Sequence, residues 1–129
     1  KHVITYREAM VLPEVPKSVV VIGAGAIGVE FADFWNAFGV DVTIVEAAPR
    51  LVPIEDEEVS ETLAKSFRKK GIKVQAGAKV GGVRVEGGQC ITTITTAEGK
   101  EEKLASERVL LAVGVRANTT QTANLALAG

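Results

Sequence analysis

Residues 18–46 read SVVVIGAGAIGVEFADFWNAFGVDVTIVE, and the order of signals within them decides the fold. Residues 18–22, SVVVI, are a continuous run of mostly β-branched residues, the pattern of a central parallel strand covered on both faces. Gly23-Ala24-Gly25-Ala26-Ile27-Gly28 follows at once, and Ile27, Phe31, Phe34, Trp35 and Phe38 then recur at helical spacing until Gly39 supplies a stop. Residues 40–46, VDVTIVE, alternate and are rich in Val, Ile and Thr, so a second strand closes the unit with Glu46 at its carboxyl end. A strand, a glycine turn, a helix and a strand within about 30 residues make a βαβ unit.

A G-x-G-x-x-G pattern carries little weight alone. Here it follows a strand, opens a helix and is followed by an acidic residue eighteen positions after Gly28, which is the arrangement of a Rossmann-type dinucleotide site. Gly23 allows the tight turn, Gly25 lets the backbone approach a pyrophosphate, and Gly28 lets helix and strand pack closely. The helix N-terminus adds free N–H donors and about half a positive charge. The competing reading is a glycine-rich turn that holds no ligand. Glu46 lies where a carboxylate accepts hydrogen bonds from both adenosine ribose hydroxyls. A 2′-phosphate there would meet like charge, at roughly 4 kcal/mol per unit pair at about 4 Å and an effective dielectric of 20, so the cofactor expected is NAD rather than NADP. Arg50, shortly after the strand, is the one side chain able to serve a 2′-phosphate, and a single arginine does not outweigh Glu46.

Beyond this unit the pattern predicts a helix from about Asp56 to Lys70. Its acidic residues Asp56, Glu57 and Glu58 stand at the start and its basic residues Arg68, Lys69 and Lys70 at the end, as the macrodipole favours. Val59, Leu63 and Phe67 read as its inward stripe and Gly71 as a left-handed C-terminal residue. A third strand is expected near residues 72–76. Residues 79–86, 89–97 and 100–105, separated by glycine-bearing turns and dense in threonine, read as a three-stranded antiparallel meander. Residues 108–113, RVLLAV, return to a buried-strand pattern that ends at Gly114. The expected class is α/β, a Rossmann-like parallel sheet with flanking helices and the meander as a crossover. Residues 1–17 read as a lead-in, 18–116 as the NAD-binding domain and 117–129 as a tail. Ligands of open parallel sheets lie beyond the strands' carboxyl ends, which adds Val80, against adenine, and Gly114, near the nicotinamide ribose, to the candidate site.

The chain's 129 residues suit one domain, and 47% hydrophobic residues suit a globular core. Fifteen basic against sixteen acidic side chains give a net charge of −1, too balanced to recruit nucleic acid or an anionic membrane. No apolar run approaches the roughly 18 residues of a membrane span. One cysteine, Cys90, and one histidine, His2, are too few for a disulfide or a zinc site, which fits a reducing, cytoplasmic setting. Cys90 has no basic neighbour in sequence and reads as a structural thiol; no residue is assigned a catalytic role and none a metal. Asn118-Thr119-Thr120 matches a glycosylation sequon by chance. The first ten residues, KHVITYREAM, begin without methionine and carry no secretory core, so the chain reads as a piece of something larger.

The stretch PKSVVVIGAGAIGVEFADFWNAFGVDVTIVEAAPRLVP, with KKGIKV and LLAVGVRAN, resembles the NAD-binding domain of the pyridine nucleotide–disulfide oxidoreductase family, and within it dihydrolipoamide dehydrogenase. The resemblance implies a parent enzyme that is a homodimer with an FAD domain and a dimerisation domain, binding FAD outside these residues. Carried over by position, the cofactor contacts fall on Gly23, Ala24, Gly25, Ala26, Ile27, Gly28, Val29 and Glu30, on Glu46, on Val80 and on Gly114. Glu30 matches the family glutamate near the nicotinamide that pairs with a lysine of the FAD domain. Read from the helix alone, Glu30 is only a carboxylate favoured by the positive pole. Many relatives have a gating tyrosine where this chain has Ala26, and NADP-specific relatives have arginines at Ala47 and Ala48. The redox-active cysteine pair, the FAD fingerprint and the His–Glu pair of the family do not occur here, so the chain by itself is expected to be inactive. An NADH oxidase, a mercuric reductase and a regulatory NAD-sensing module are the competing functional readings.

Overall fold

The computed structural model describes residues 1–114. Eleven elements follow in the order β1 (Val3–Thr5), α1 (Tyr6–Ala9), β2 (Ser18–Ile22), α2 (Ala26–Ala37), β3 (Asp41–Glu46), α3 (Glu57–Lys69), β4 (Lys73–Ala76), β5 (Lys79–Glu86), β6 (Gln89–Thr95), β7 (Glu101–Ser106) and β8 (Arg108–Leu111). Five strands form one sheet in the order β1-β8-β2-β3-β4, and β5-β6-β7 form the expected antiparallel meander. Every pairing in the five-stranded sheet is parallel, with Val20 opposite Thr43 on one side of β2 and opposite Val109 on the other.

Central strands with both faces covered must be apolar throughout, and here the two faces bury different partners. Val19, Val21, Val42, Ile44 and Leu110 pack with Trp35 of α2 and Phe67 of α3. Their alternating neighbours Val20, Ile22, Val45 and Val109 pack with Cys90 and Ile94 of the meander. The molecule is thus three layers deep, helices on one side of the sheet and the meander on the other. Among the described residues no helix is long and apolar enough to cross a membrane.

Three features depart from the sequence pattern. Residues 1–17 do more than lead in, because Val3–Thr5 adds the edge strand beside β8. The buried face of α2 consists of Gly28, Ala32 and Trp35, whereas Phe34 and Phe38 are 53% and 61% exposed and lie against each other as tilted rings with centroids 4.9 Å apart. Small residues on the inner face bring the helix axis close to the sheet, which leaves no room there for two more phenyl rings. In α3 the inward residues are Ser60 and Phe67, with Leu63 partly covered, and Val59 faces outward. A polar residue takes the inward position because the Ser60 hydroxyl donates to the Val52 carbonyl at 3.4 Å. Gly71, with φ +88°, ends α3 in the left-handed conformation expected. The expected tail 117–129, including Asn118, and residues Val115 and Arg116 lie outside the described residues.

The meander contains one unsatisfied group. Thr92 is fully buried between Cys90 and Ile94 along β6, and its hydroxyl oxygen has no hydrogen-bond partner. A buried hydroxyl without a partner costs about 1–3 kcal/mol, and valine has nearly the same shape with equal preference for a strand. Thr92→Val is therefore expected to raise stability by about 1 kcal/mol in a denaturant melt; an unchanged or lower midpoint would mean that the hydroxyl finds a partner in solution.

Candidate functional site

The carboxyl ends of β2, β3 and β8 meet at one edge of the sheet, where the chain leaves β2 through the glycine turn. Gly23 has φ +102°, and a Cβ built there would lie 2.5 Å from the Ala112 carbonyl oxygen, so only glycine lets the turn pass the end of β8. Its N–H donates to the Val45 carbonyl at 2.9 Å. At Gly28 a Cβ would stand 2.0 Å from the Gly23 carbonyl oxygen, which is the close helix-to-strand approach expected of the third glycine. Gly25 differs from both. It is the N-cap of α2 with φ −71°, and a Cβ there would meet nothing within 4 Å. The first turn of α2 carries no acidic residue of its own.

Glu46 closes β3 beside this turn. Its Oε2 accepts from the Ala24 N–H at 2.6 Å and its Oε1 from the Ala48 N–H at 2.7 Å. A cavity of about 470 Å³ opens over these groups, and Gly23, Gly25, Glu46, Val80 and Gly114 all line it. Five candidate residues from four separate stretches of sequence thus share one space. Val80 sits at an irregularity in the β5–β6 pairing between Val80 and Gly82, and Gly114 has φ +150°. The sequence reading missed Pro53, Ile54, Ala78 and Val113, which complete the apolar wall. Ile54 is 92% exposed and Val113 76%, and an exposed isoleucine in a Pro-flanked loop was the available signal for the first.

The remaining candidates lie apart from that space. Ala24, Ile27, Gly28 and Val29 build the turn and the first turns of α2 without lining the cavity. Ala26 opens the helix as an exposed residue with no ring to gate anything. Glu30 is exposed and lines a different groove of about 510 Å³, bounded by Met10, Leu12, Pro13 and Val15 of the lead-in and by Phe34 of α2. Arg50 is engaged within its own loop, donating to the Pro53 and Glu55 carbonyls at 3.3 Å each. Burial raises the Cys90 thiol above its ordinary pKa against the opposing charge of Arg108, which keeps it protonated and unreactive. Among the described residues no cluster of His, Cys, Asp or Glu could hold a metal.

The family model for pyridine nucleotide–disulphide oxidoreductases matches residues 1–129. The chain is 51% identical over 117 residues to the dihydrolipoyl dehydrogenase of Chlorobaculum parvum, covering 89% of this chain and 24% of that protein. Against the dihydrolipoyl dehydrogenase of Rhizobium etli the figures are 41% over 118 residues, 92% and 24%. The flavoprotein disulfide reductase RclA of Escherichia coli superposes with a TM-score of 0.79 at 29% identity, over 92% of this chain and 26% of that one. LpdA of Mycobacterium tuberculosis superposes at 0.77 with 27% identity, over 95% and 26%. The chain spans about a quarter of the length of the curated relatives it matches. With a glycine turn, a strand-end glutamate and a meander layered as described, and with a family model matched from end to end, this chain belongs to the pyridine nucleotide–disulphide oxidoreductase family.

Proposed function

We propose that this chain is the NAD-binding domain of a flavin-dependent disulfide oxidoreductase of the dihydrolipoamide dehydrogenase kind, and that it positions the nicotinamide for hydride transfer with FAD. The observation that carries the reading is the cavity where Gly23, Gly25 and Glu46 converge with Val80 and Gly114. The residues present fit a dinucleotide: Gly25 leaves an open flank, α2 offers an N-terminus with no acidic residue in its first turn, and Glu46 offers a carboxylate. Gly23 to Gly28 and the first N–H groups of α2 would hold the pyrophosphate, Glu46 the adenosine ribose, Val80 with Ile54 the adenine, and Gly114 the far ribose. When bound, the nicotinamide supplies the hydride-accepting centre, and this chain's residues bind and orient it. Glu46 and the intraloop bonding of Arg50 both favour NAD over NADP, since neither offers a free cation to a 2′-phosphate.

In this reading residues 18–116 are the domain proper, to whose sheet the lead-in adds the edge strand β1, and the rest of the parent chain provides the FAD domain and the dimerisation domain of a homodimer. The exposed Met10, Val15 and Phe34 around one groove, with Phe38 against Phe34, support a covering partner, because an apolar patch on a soluble surface marks an interaction site. Glu30, on the rim of that groove, is then placed to meet a lysine of the FAD domain rather than to line the phosphate site. A cytoplasmic setting rests on the single buried thiol. The likeness to RclA favours a second reading, another disulfide reductase of the same family, such as a mercuric reductase, or an NADH oxidase. A regulatory NAD sensor continues with further βα units, where this chain has a meander.

Calorimetric titration of the chain with NADH is expected to show saturable binding that NADPH does not match. The same preparation mixed with FAD, NAD⁺ and dihydrolipoamide is expected to form no NADH above a protein-free control, since thiol–disulfide chemistry needs two cysteines and the chain has only Cys90. Absence of NADH binding would remove the reading; turnover abolished by Cys90→Ser would overturn the division of labour.

A further inference from the structure

We infer that Glu46 is a structural latch on the glycine turn in addition to a recognition group, and that Val52 is the second half of the same latch. Both backbone groups of Ala24 are taken by the end of β3 and the loop that follows it. The Ala24 N–H donates to Glu46 Oε2 at 2.6 Å, and the Ala24 carbonyl accepts from the Val52 N–H at 2.8 Å. The other oxygen of Glu46 accepts from the Ala48 N–H at 2.7 Å, so a single carboxylate joins the turn to the loop.

Val52 makes its bond with φ +40°, a conformation that β-branched residues rarely adopt. Strain of this kind persists only where the surroundings enforce it. Here the Val52 side chain is 8% exposed and belongs to the same apolar cluster as Ala24 and Leu51. Its carbonyl accepts from the Glu55 N–H at 2.8 Å and from the Ser60 hydroxyl at 3.4 Å, which continues the connection into α3.

The geometry of the peptide bond gives this latch a consequence for binding. The Ala24 carbonyl and the Gly25 N–H belong to one planar trans unit and point in opposite directions. Holding the carbonyl toward Val52 therefore turns the Gly25 N–H away from the loop, before any ligand arrives. That consequence rests on the proposed pyrophosphate site; the latch itself does not. A carboxylate has about four lone-pair positions, so two backbone donors still leave capacity for two ribose hydroxyls.

Glu46→Gln tests the latch, because the isosteric amide keeps one acceptor oxygen and turns the other into a donor, so Ala24 and Ala48 cannot both keep their acceptor. In the absence of cofactor, the variant is expected to exchange at least one of its Ala24 and Ala48 amide hydrogens about ten-fold faster by NMR than the wild-type chain, and to melt at a lower temperature. Wild-type exchange and melting, whether or not NADH binding is lost, would overturn the latch and leave Glu46 a recognition group alone. Faster exchange with unaltered NADH affinity would overturn its positioning consequence. If the wild-type chain binds no NADH, the proposed function fails while cofactor-free exchange still decides the latch. Val52→Gly retains the N–H and relieves the strain, so it serves if Glu46→Gln does not fold. The amide at position 52 is expected to exchange faster than in the wild-type chain as the loop loosens while the fold is retained, and unchanged protection of that amide would overturn the part assigned to Val52.

Discussion

Gly28→Ala is expected to destabilise the chain by about 3 kcal/mol or more, while Gly25→Ala leaves its stability within about 1 kcal/mol and removes cofactor binding. The two substitutions add the same methyl group three residues apart on one turn. At Gly28 the new Cβ would lie 2.0 Å from the Gly23 carbonyl oxygen, and backbone on both sides leaves no flexible end to yield. Alanine's better helix propensity returns only about 1 kcal/mol, so the clash wins and α2 must lift from β2. At Gly25 the methyl meets nothing within 4 Å and φ is −71°, so the folded chain accepts it. The space it enters borders the cavity, and in the proposed function that space belongs to the pyrophosphate. Chemical denaturation and NADH titration of both variants separate the effects. Equal losses of stability would show that the open flank of Gly25 has no special standing.

Replacing Glu46 with Ala and Ala47 with Arg is expected to weaken NAD binding and improve NADP binding, by about 1–3 kcal/mol in the preference for each. The charge reversal removes a carboxylate that would repel a 2′-phosphate and adds a guanidinium that pairs with it. Loss of the bonds from Glu46 to Ala24 and Ala48 penalises the two cofactors alike, so it cancels in their ratio and lowers both absolute affinities. The ratio, taken from parallel titrations at fixed ionic strength, is the quantity that reports the electrostatic argument. An unchanged ratio would mean that Glu46 is not beside the adenosine ribose.

Much of this arrangement is legible because it is written in local signals. The β-branched runs at 18–22 and 41–46 can only be covered strands, and the glycines at Gly23 and Gly28 each answer a separate steric demand. Val3–Thr5 is not legible: three residues carry no period, and they become a strand only because Val3, Ile4 and Thr5 meet Val109, Leu110 and Leu111 from the far end of the domain. The helix stripes were misjudged for a related reason. Pattern reading favours large apolar residues such as Phe34 and Val59, whereas the sheet selects the small residues Gly28 and Ala32 and the bonded Ser60. At the site the acidic position of Glu46 was readable from spacing, but its two backbone donors were not, because a hydrogen bond between Ala24 and residue 46 exists only once the strands are paired. Ile54 and Val113 likewise reach the cavity from loops whose paths no local rule describes.

The most direct measurement is an NMR titration of the chain with NADH, following every backbone amide. The account predicts that the largest shifts fall on Gly23 to Glu30 and around Glu46, with smaller ones at Val80 and Gly114. Shifts confined to the outer strands of the meander, with residues 23–30 and 46 unmoved at saturation, would contradict it.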